Sequence, residues 1–303
     1  MRLLSEDRAR PRLPTTPPPA RWQGEDLADR GILVQPEQGV GDEILFASCL
    51  PDLIERAGRC VIQCDARLVS LYRHSFPRAT VLGSAESPAD DMSRARLDYH
   101  VPIASLPMYL RGTRAEFPRR ESYLAGSVRR VAAWRRRLAG LGEGPWVGLS
   151  WRGGTARSRG PARSVPLAML ARALHASGVR WVSLQHDCTE AELAEIRQAH
   201  GVLIHRLPEA LTDLAETAAL MGALDLVITI DNTVAQLAGA TGRATWAMLP
   251  FVPEWRYGVS GDSMPWYPAA RLFRQSAPGA WGPVLEAVAR ALDAWRDRAR
   301  PER

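Results

Sequence analysis

Three stretches of the sequence place reactive or anion-binding side chains directly after apolar runs of strand character. The first is Gln35-Pro36-Glu37-Gln38-Gly39-Val40-Gly41-Asp42-Glu43. Gly39 and Gly41 allow a tight turn into a helix. An acid at a helix start sits where free N–H groups and the helix dipole favour negative charge, so Asp42 reads either as an N-cap or as a base facing a cleft, placed to take a proton from a hydroxyl. The same glycines, with Asp65 further on, are half of a dinucleotide fingerprint. Ile44 stands where its third glycine belongs, however, and Asp42 and Glu43 put negative charge where a pyrophosphate would lie, which argues against NAD.

The second stretch, residues 151–164, contains Arg152, Arg157, Arg159 and Arg163 and no acid, together with small residues that let a ligand approach the backbone. Guanidinium forks in such a loop suit phosphate. The third, Asp231-Asn232-Thr233, opens a helix whose free N–H groups can hold a diphosphate, with Asn232 and Thr233 as side-chain donors. His100, His186 and His205 lack metal-ligand spacing, and no H-E-x-x-H or D-x-D pattern occurs, so chemistry without a metal or other cofactor is expected.

These stretches are positioned by apolar runs of four to six residues that alternate with amphipathic segments of ten or more, a βα alternation. Strands are expected at 32–35, 60–64, 80–82, 99–102, 146–150, 181–185, 203–206, 226–230 and 245–249. Helices are expected at 42–56, 66–75, 127–141, 166–175, 189–199, 212–224, 233–241 and 281–296. A Gly/Pro break at 140–145 divides two α/β units, giving two Rossmann-like domains facing each other across a cleft. The expected organisation is a Pro/Arg-rich arm over 1–22, a first domain over 23–143 and a second over 144–280. A C-terminal helix and basic tail, 281–303, would follow.

Composition removes several alternatives. All 39 basic side chains are Arg. A chain without Lys has no Schiff-base lysine, no usual pyridoxal phosphate chemistry and no Walker A loop. Five of the six net positive charges lie in the terminal segments, so the folded body is nearly neutral and offers no nucleic-acid face. Arg129, Arg130, Arg135, Arg136 and Arg137 read as the solvated face of a helix. The four Cys read as buried free thiols. No signal peptide or membrane span is evident, which points to the cytoplasm.

Beyond single motifs, the sequence resembles the glycosyltransferase part of bacterial tetratricopeptide-repeat glycosyltransferases, relatives of the ADP-heptose heptosyltransferases of glycosyltransferase family 9. The resemblance is collinear over about residues 20–292. It is carried by Trp22-Gln23-Gly24, the 37–44 turn, Val147-Gly148-Leu149-Ser150-Trp151, Arg163-Ser164-Val165-Pro166-Leu167, Ser183-Leu184-Gln185, residues 211–220, Asp231-Asn232-Thr233, Met264-Pro265-Trp266-Tyr267-Pro268 and Arg271-Leu272-Phe273-Arg274-Gln275. It implies a GT-B fold and inverting, metal-independent transfer of a sugar, such as a heptose, from a nucleoside diphosphate to a hydroxyl of a glycan, lipopolysaccharide or protein. The first domain would hold the acceptor, and the last helix would cross back to it. Asp42 would be the general base and Arg163 the neutraliser of the leaving diphosphate. Gln38, Gly39, Gly41, Trp151, Arg152, Ser164, Gln185, Asp231, Asn232, Thr233 and Gln236 would line the substrate sites. Gln236 stands where the family commonly has His, which keeps a non-catalytic nucleotide-sugar-binding protein open as the alternative.

Overall fold

A computed structural model describes residues 19–85, 97–154, 159–174 and 178–299. Residues 1–18 of the arm expected over 1–22, Arg157 of the Arg-rich loop, His175 and the basic tail beyond residue 299 lie outside the described residues. Two wholly parallel sheets make up the fold. The first has the order β1 (Ala20–Arg21), β5 (Tyr99–Pro102), β2 (Gly31–Gln35), β3 (Arg59–Cys64), β4 (Thr80–Gly83). The second runs β11 (Ala270–Arg274), β10 (Thr245–Leu249), β9 (Leu226–Ile230), β6 (Trp146–Leu149), β7 (Arg180–Ser183), β8 (Ile204–Arg206). Helices cover both faces of such sheets, so their central strands can be apolar throughout: every residue of β6, β9 and β10 is buried.

The strand orders place the chemistry. In an open parallel sheet the crevice lies at the carboxyl ends of the strands where the order reverses. In the second sheet that reversal falls between β6 and β9, whose following segments are the Arg-rich loop and Asp231-Asn232-Thr233. In the first it falls between β2 and β5, and β2 leads into the 36–42 turn.

Three expectations are corrected. The first domain begins earlier than residue 23: Ala20 and Arg21 form an edge strand, and the Trp22 N–H donates to the His100 carbonyl at 2.9 Å. The helix Val128–Leu141 lies on the second half, not the first. Its Trp134 Nε1 donates to Glu216 Oε1 at 2.7 Å, Arg130 pairs with Glu216 at 3.0 Å, and Val131 packs against Gly222. Its arginines are nonetheless exposed, as a solvated face requires. The C-terminal helix Trp281–Ala299 does not cross back. Trp281, Val284, Leu285, Val288 and Leu292 join Leu170, Leu174 and the second-sheet residues Val147 and Leu149 in one core.

Local chemistry sets the remaining differences. The segment expected as one helix over 42–56 is two, Val40–Phe46 and Leu50–Arg56, joined by a 3-10 turn where Pro51 begins the second. Strand β11 has no counterpart among the expected strands. Among the described residues it is an edge strand paired with β10, and its sequence Ala-Arg-Leu-Phe-Arg is too short and mixed to announce itself. All four Cys are free and buried, and burial pushes the Cys60 thiol up to about 12 and Cys49 up to about 11.

Candidate active site

A cleft of about 800 Å³ separates the two sheets and is lined from both sides. The first half contributes Gln38, Gly39, Gly41 and Asp42. The second contributes Arg152, Arg163, Gln185, Asp231, Asn232, Thr233 and Gln236, with Trp255 and Arg256. Gln38 turns the chain with φ 64°, a left-handed conformation uncommon outside glycine.

Asp42 is not a helix cap. The helix begins at Val40 with Gly39 as its cap residue, and Asp42 lies in the first turn with its side chain directed into the cleft. There its Oδ1 accepts from Arg256 Nη1 at 2.7 Å. Next to it in sequence, Glu43 is only 4% exposed, and its Oε2 accepts the Asp65 N–H at 3.0 Å. Desolvation raises the Glu43 carboxyl to about 7 despite that hydrogen bond.

Of the described arginines in the 151–164 loop, Arg152, Arg159 and Arg163, the last is the one buried at the cleft wall. It ends the short helix Gly160–Arg163, and its Nη1 lies 3.6 Å from Asp231 Oδ2. Neither Arg163 Nε nor Asp231 Oδ2 has a hydrogen-bond partner. Burial raises the Asp231 carboxyl, while Arg163 and Arg256 pull it back down. The other two described loop arginines find acids elsewhere in the chain: Arg152 pairs with Glu192 and, at 3.4 Å, with Asp187, and Arg159 lies 3.8 Å from Glu254. Arg152 therefore lines the cleft with its charge already engaged.

Several residues expected to touch substrate serve the architecture. Trp151 is fully buried in the second-sheet core, because continuing the alternation of β6 by two residues puts its ring on the face of Val147 and Leu149. Gln185 Oε1 accepts from Ser150 Oγ and from the N–H groups of Trp151 and Arg152 at 3.0–3.1 Å, fixing the start of the Arg loop. Ser164 Oγ donates to the Gly160 carbonyl at 2.8 Å. Asn232 is the cap of the helix Thr233–Ala240: its Oδ1 accepts from Ala235 N–H, and its Nδ2 donates to Ser150 Oγ at 2.8 Å, tying the loops after β9 and β6. Gly153 permits this closeness, since a Cβ there would stand 2.7 Å from that of Asn232. Thr233 is exposed to the cleft. Gln236 is 2% exposed and clasped between two tyrosines, donating to Tyr257 Oη at 3.0 Å and accepting from Tyr267 Oη at 2.8 Å. Its amide is thus committed within the protein.

Sequence reasoning gave no role to Arg256 or Tyr257, and Tyr267 entered it only among the residues that carry the resemblance. The available signal was position: the 250–262 segment follows β10, so it too leaves the carboxyl end of a strand. Arg274 holds this segment, donating to the carbonyls of Gly258 and Gly261 at 2.9 and 2.7 Å, and Gln275 Oε1 accepts the Phe251 N–H at 3.1 Å.

The dinucleotide alternative finds no support in this geometry. Asp65 caps the turn Ala66–Leu68 and pairs with Arg67 at 2.8 Å, and a Cβ at Gly41 would lie 3.6 Å from Thr233 Oγ1 and Gln236 Cγ. The turn thus abuts the second half of the protein. Among the described residues no group of three or more His, Cys, Asp and Glu is placed to hold a metal ion, and no helix is long and apolar enough to cross a membrane.

With two Rossmann-like sheets opposed across a cleft, the chain has the GT-B fold, and solved structures bear this out. It superposes on ADP-heptose lipopolysaccharide heptosyltransferase II of E. coli with a TM-score of 0.59 and 17% identity, covering 88% of this chain and 99% of that one. A glycosyl transferase family 9 protein of Veillonella parvula DSM 2008 gives 0.56 and 13% over 89% and 94%. The dodecameric iron-containing heptosyltransferase TibC of E. coli H10407, solved with ADP-D-beta-D-heptose, gives 0.53 and 12% over 91% and 78%. In sequence, the chain is 34% identical over 307 aligned residues to Protein FlbA of Caulobacter vibrioides (strain ATCC 19089 / CIP 103742 / CB 15), an alignment covering 95% of this chain. The chain spans about half the length of that relative, 51%. No family model matches the sequence.

Proposed function

We propose that the protein is an inverting, metal-independent glycosyltransferase that moves a sugar from a nucleoside diphosphate to an acceptor hydroxyl. The observation that carries this reading is the convergence on one cleft of Asp42, from the first sheet, and Arg163, from the second. Asp42 takes the proton of the acceptor hydroxyl as its oxygen bonds to the anomeric carbon. The bond from that carbon to the diphosphate oxygen breaks on the opposite face, and its electron pair leaves with the diphosphate. Arg163 and the open N–H groups of the 233–240 helix stabilise the charge that develops there. An acid on one wall and cations on the other suit inversion in a single displacement.

Adenosine diphosphate sugars, heptose among them, are the first donors to test, because TibC was solved with ADP-D-beta-D-heptose. The acceptor class proposed is a glycan, lipopolysaccharide or protein hydroxyl, and the setting is the cytoplasm. A thermal-shift panel of nucleoside diphosphates and their sugars tests the donor site, since a ligand at about 100 times its Kd adds about 2.7 kcal/mol to stability. Product detection by mass spectrometry with the stabilising donor then tests transfer. Donor binding without any transfer would favour the non-catalytic alternative, which the internal commitment of Gln236 supports.

A further inference from the structure

Resting on the glycosyltransferase reading, we propose that Arg256 is a positioning residue shared by two anions: it holds Asp42 while no donor is bound and transfers to the donor's diphosphate, freeing the base only in the donor complex. Eight charged side chains line the cleft, four acids (Asp42, Asp213, Asp231 and Glu254) and four arginines (Arg67, Arg152, Arg163 and Arg256). A diphosphate brings at least two further negative charges into this balanced set. A guanidinium binds phosphate oxygens through paired, charge-assisted hydrogen bonds, so the incoming group competes directly with a carboxylate for it.

Arg256 is built for such an exchange. Its side chain is 11% exposed, its Nη1 holds Asp42 across the cleft, and its Nε has no partner. Burial costs the charge of this guanidinium, and the carboxylates of Asp42 and Asp231 outweigh that cost and favour the ionised form. The backbone that carries it is fixed: Tyr257 is buried and bonded to Gln236, and Arg274 clasps the carbonyls of Gly258 and Gly261. The exchange therefore needs only side-chain rotation between Asp42 on one wall and the Arg163–Asp231 pair on the other. While Arg256 occupies Asp42 Oδ1, that oxygen is unavailable to a hydroxyl proton, and seating the donor restores it.

The test is a binding cycle that needs neither acceptor nor turnover. Titration calorimetry with ADP, UDP, GDP and inorganic pyrophosphate is run on the parent, Arg256→Gln, Asp42→Asn and the double variant, each checked for folding by circular dichroism. Arg256→Gln should weaken diphosphate binding roughly tenfold or more. Asp42→Asn should tighten it roughly fivefold by releasing Arg256, and that gain should largely vanish in the Arg256→Gln background. A gain of equal size in both backgrounds would reduce Asp42 to a repelling charge and overturn the shared-cation proposal. So would unchanged affinity in Arg256→Gln. Tight, uncoupled binding leaves the donor site standing and removes only this inference, whereas failure of every diphosphate to bind the parent removes both. If Arg256→Gln does not fold, the same cycle with Arg256→Lys applies, where the fork is lost and the charge kept.

Discussion

Glu43 offers a quantitative check of the electrostatics beneath the cleft. Its carboxyl is buried, 4% exposed, directly behind Asp42, and is raised from 4.5 to about 7 mainly by desolvation. In the unfolded chain it titrates near the lower value, so between about 4.5 and 7 the folded state binds more protons than the unfolded one. Stability attributable to this group is therefore complete below about pH 4.5 and is lost as pH rises to about 7, with no further change above. The difference of roughly 2.5 pH units, at 1.36 kcal/mol each, corresponds to about 3 kcal/mol. Glu43→Gln keeps an oxygen to accept the Asp65 N–H and carries no charge to desolvate. The variant should match the parent near pH 4.5 and exceed it by about 3 kcal/mol at pH 8, read from urea denaturation at a series of pH values with a probe of the first half. A variant less stable than the parent at pH 8, or a difference independent of pH, would refute the desolvation account.

Three further outcomes are expected. Arg163→Ala should lose on the order of 10²–10³ in turnover together with donor affinity, and Arg163→Lys should recover little because an ammonium cannot reproduce the fork; steady-state kinetics with the identified donor measures both. Asp42→Asn should lose roughly 10²–10⁴ in turnover while still binding nucleoside diphosphate, and a variant as active as the parent would remove Asp42 from the chemistry. Exhaustive chelation followed by metal analysis should leave transfer unchanged, a comparison made pointed by the iron-containing TibC, and a strict requirement for added metal would count against the proposed role of Arg163.

Strand positions were legible wherever burial on both faces demanded unbroken apolar runs, so β9 and β10 fall where their sequences place them. Segments whose partners are distant in sequence were not. The helix 128–141 shows one apolar stripe but gives no sign of which half receives it; that depends on Glu216 and Gly222, more than 80 residues later. The same holds for the site. Asp42 and Arg163 could be selected from residue type and local turn chemistry, and the structure brings both to the cleft. Arg256 could not, because its meaning lies in an ion pair with a residue 214 positions away. Trp151, Ser164 and Gln185 show the complementary difficulty: a polar or aromatic residue beside a binding loop looks alike whether it meets ligand or braces the backbone, and Gln185 both braces the Arg loop and lines the cleft.

The displaced connection has a mechanical consequence. Each sheet is drawn from one uninterrupted stretch of chain, and since the last helix stays with the second, the described chain passes from one half to the other once, between Leu110 and Tyr123. There Tyr123 acts as a pin: its N–H donates to the Ala240 carbonyl at 3.0 Å and its hydroxyl to the Ile44 carbonyl at 2.7 Å, so one residue grips both halves. A molecule tethered by a single strand can be cut there without unthreading anything. Residues 19–110 and 123–299, produced as separate polypeptides, have no topological barrier to reassembly, and the cleft would then be rebuilt by surface complementarity alone.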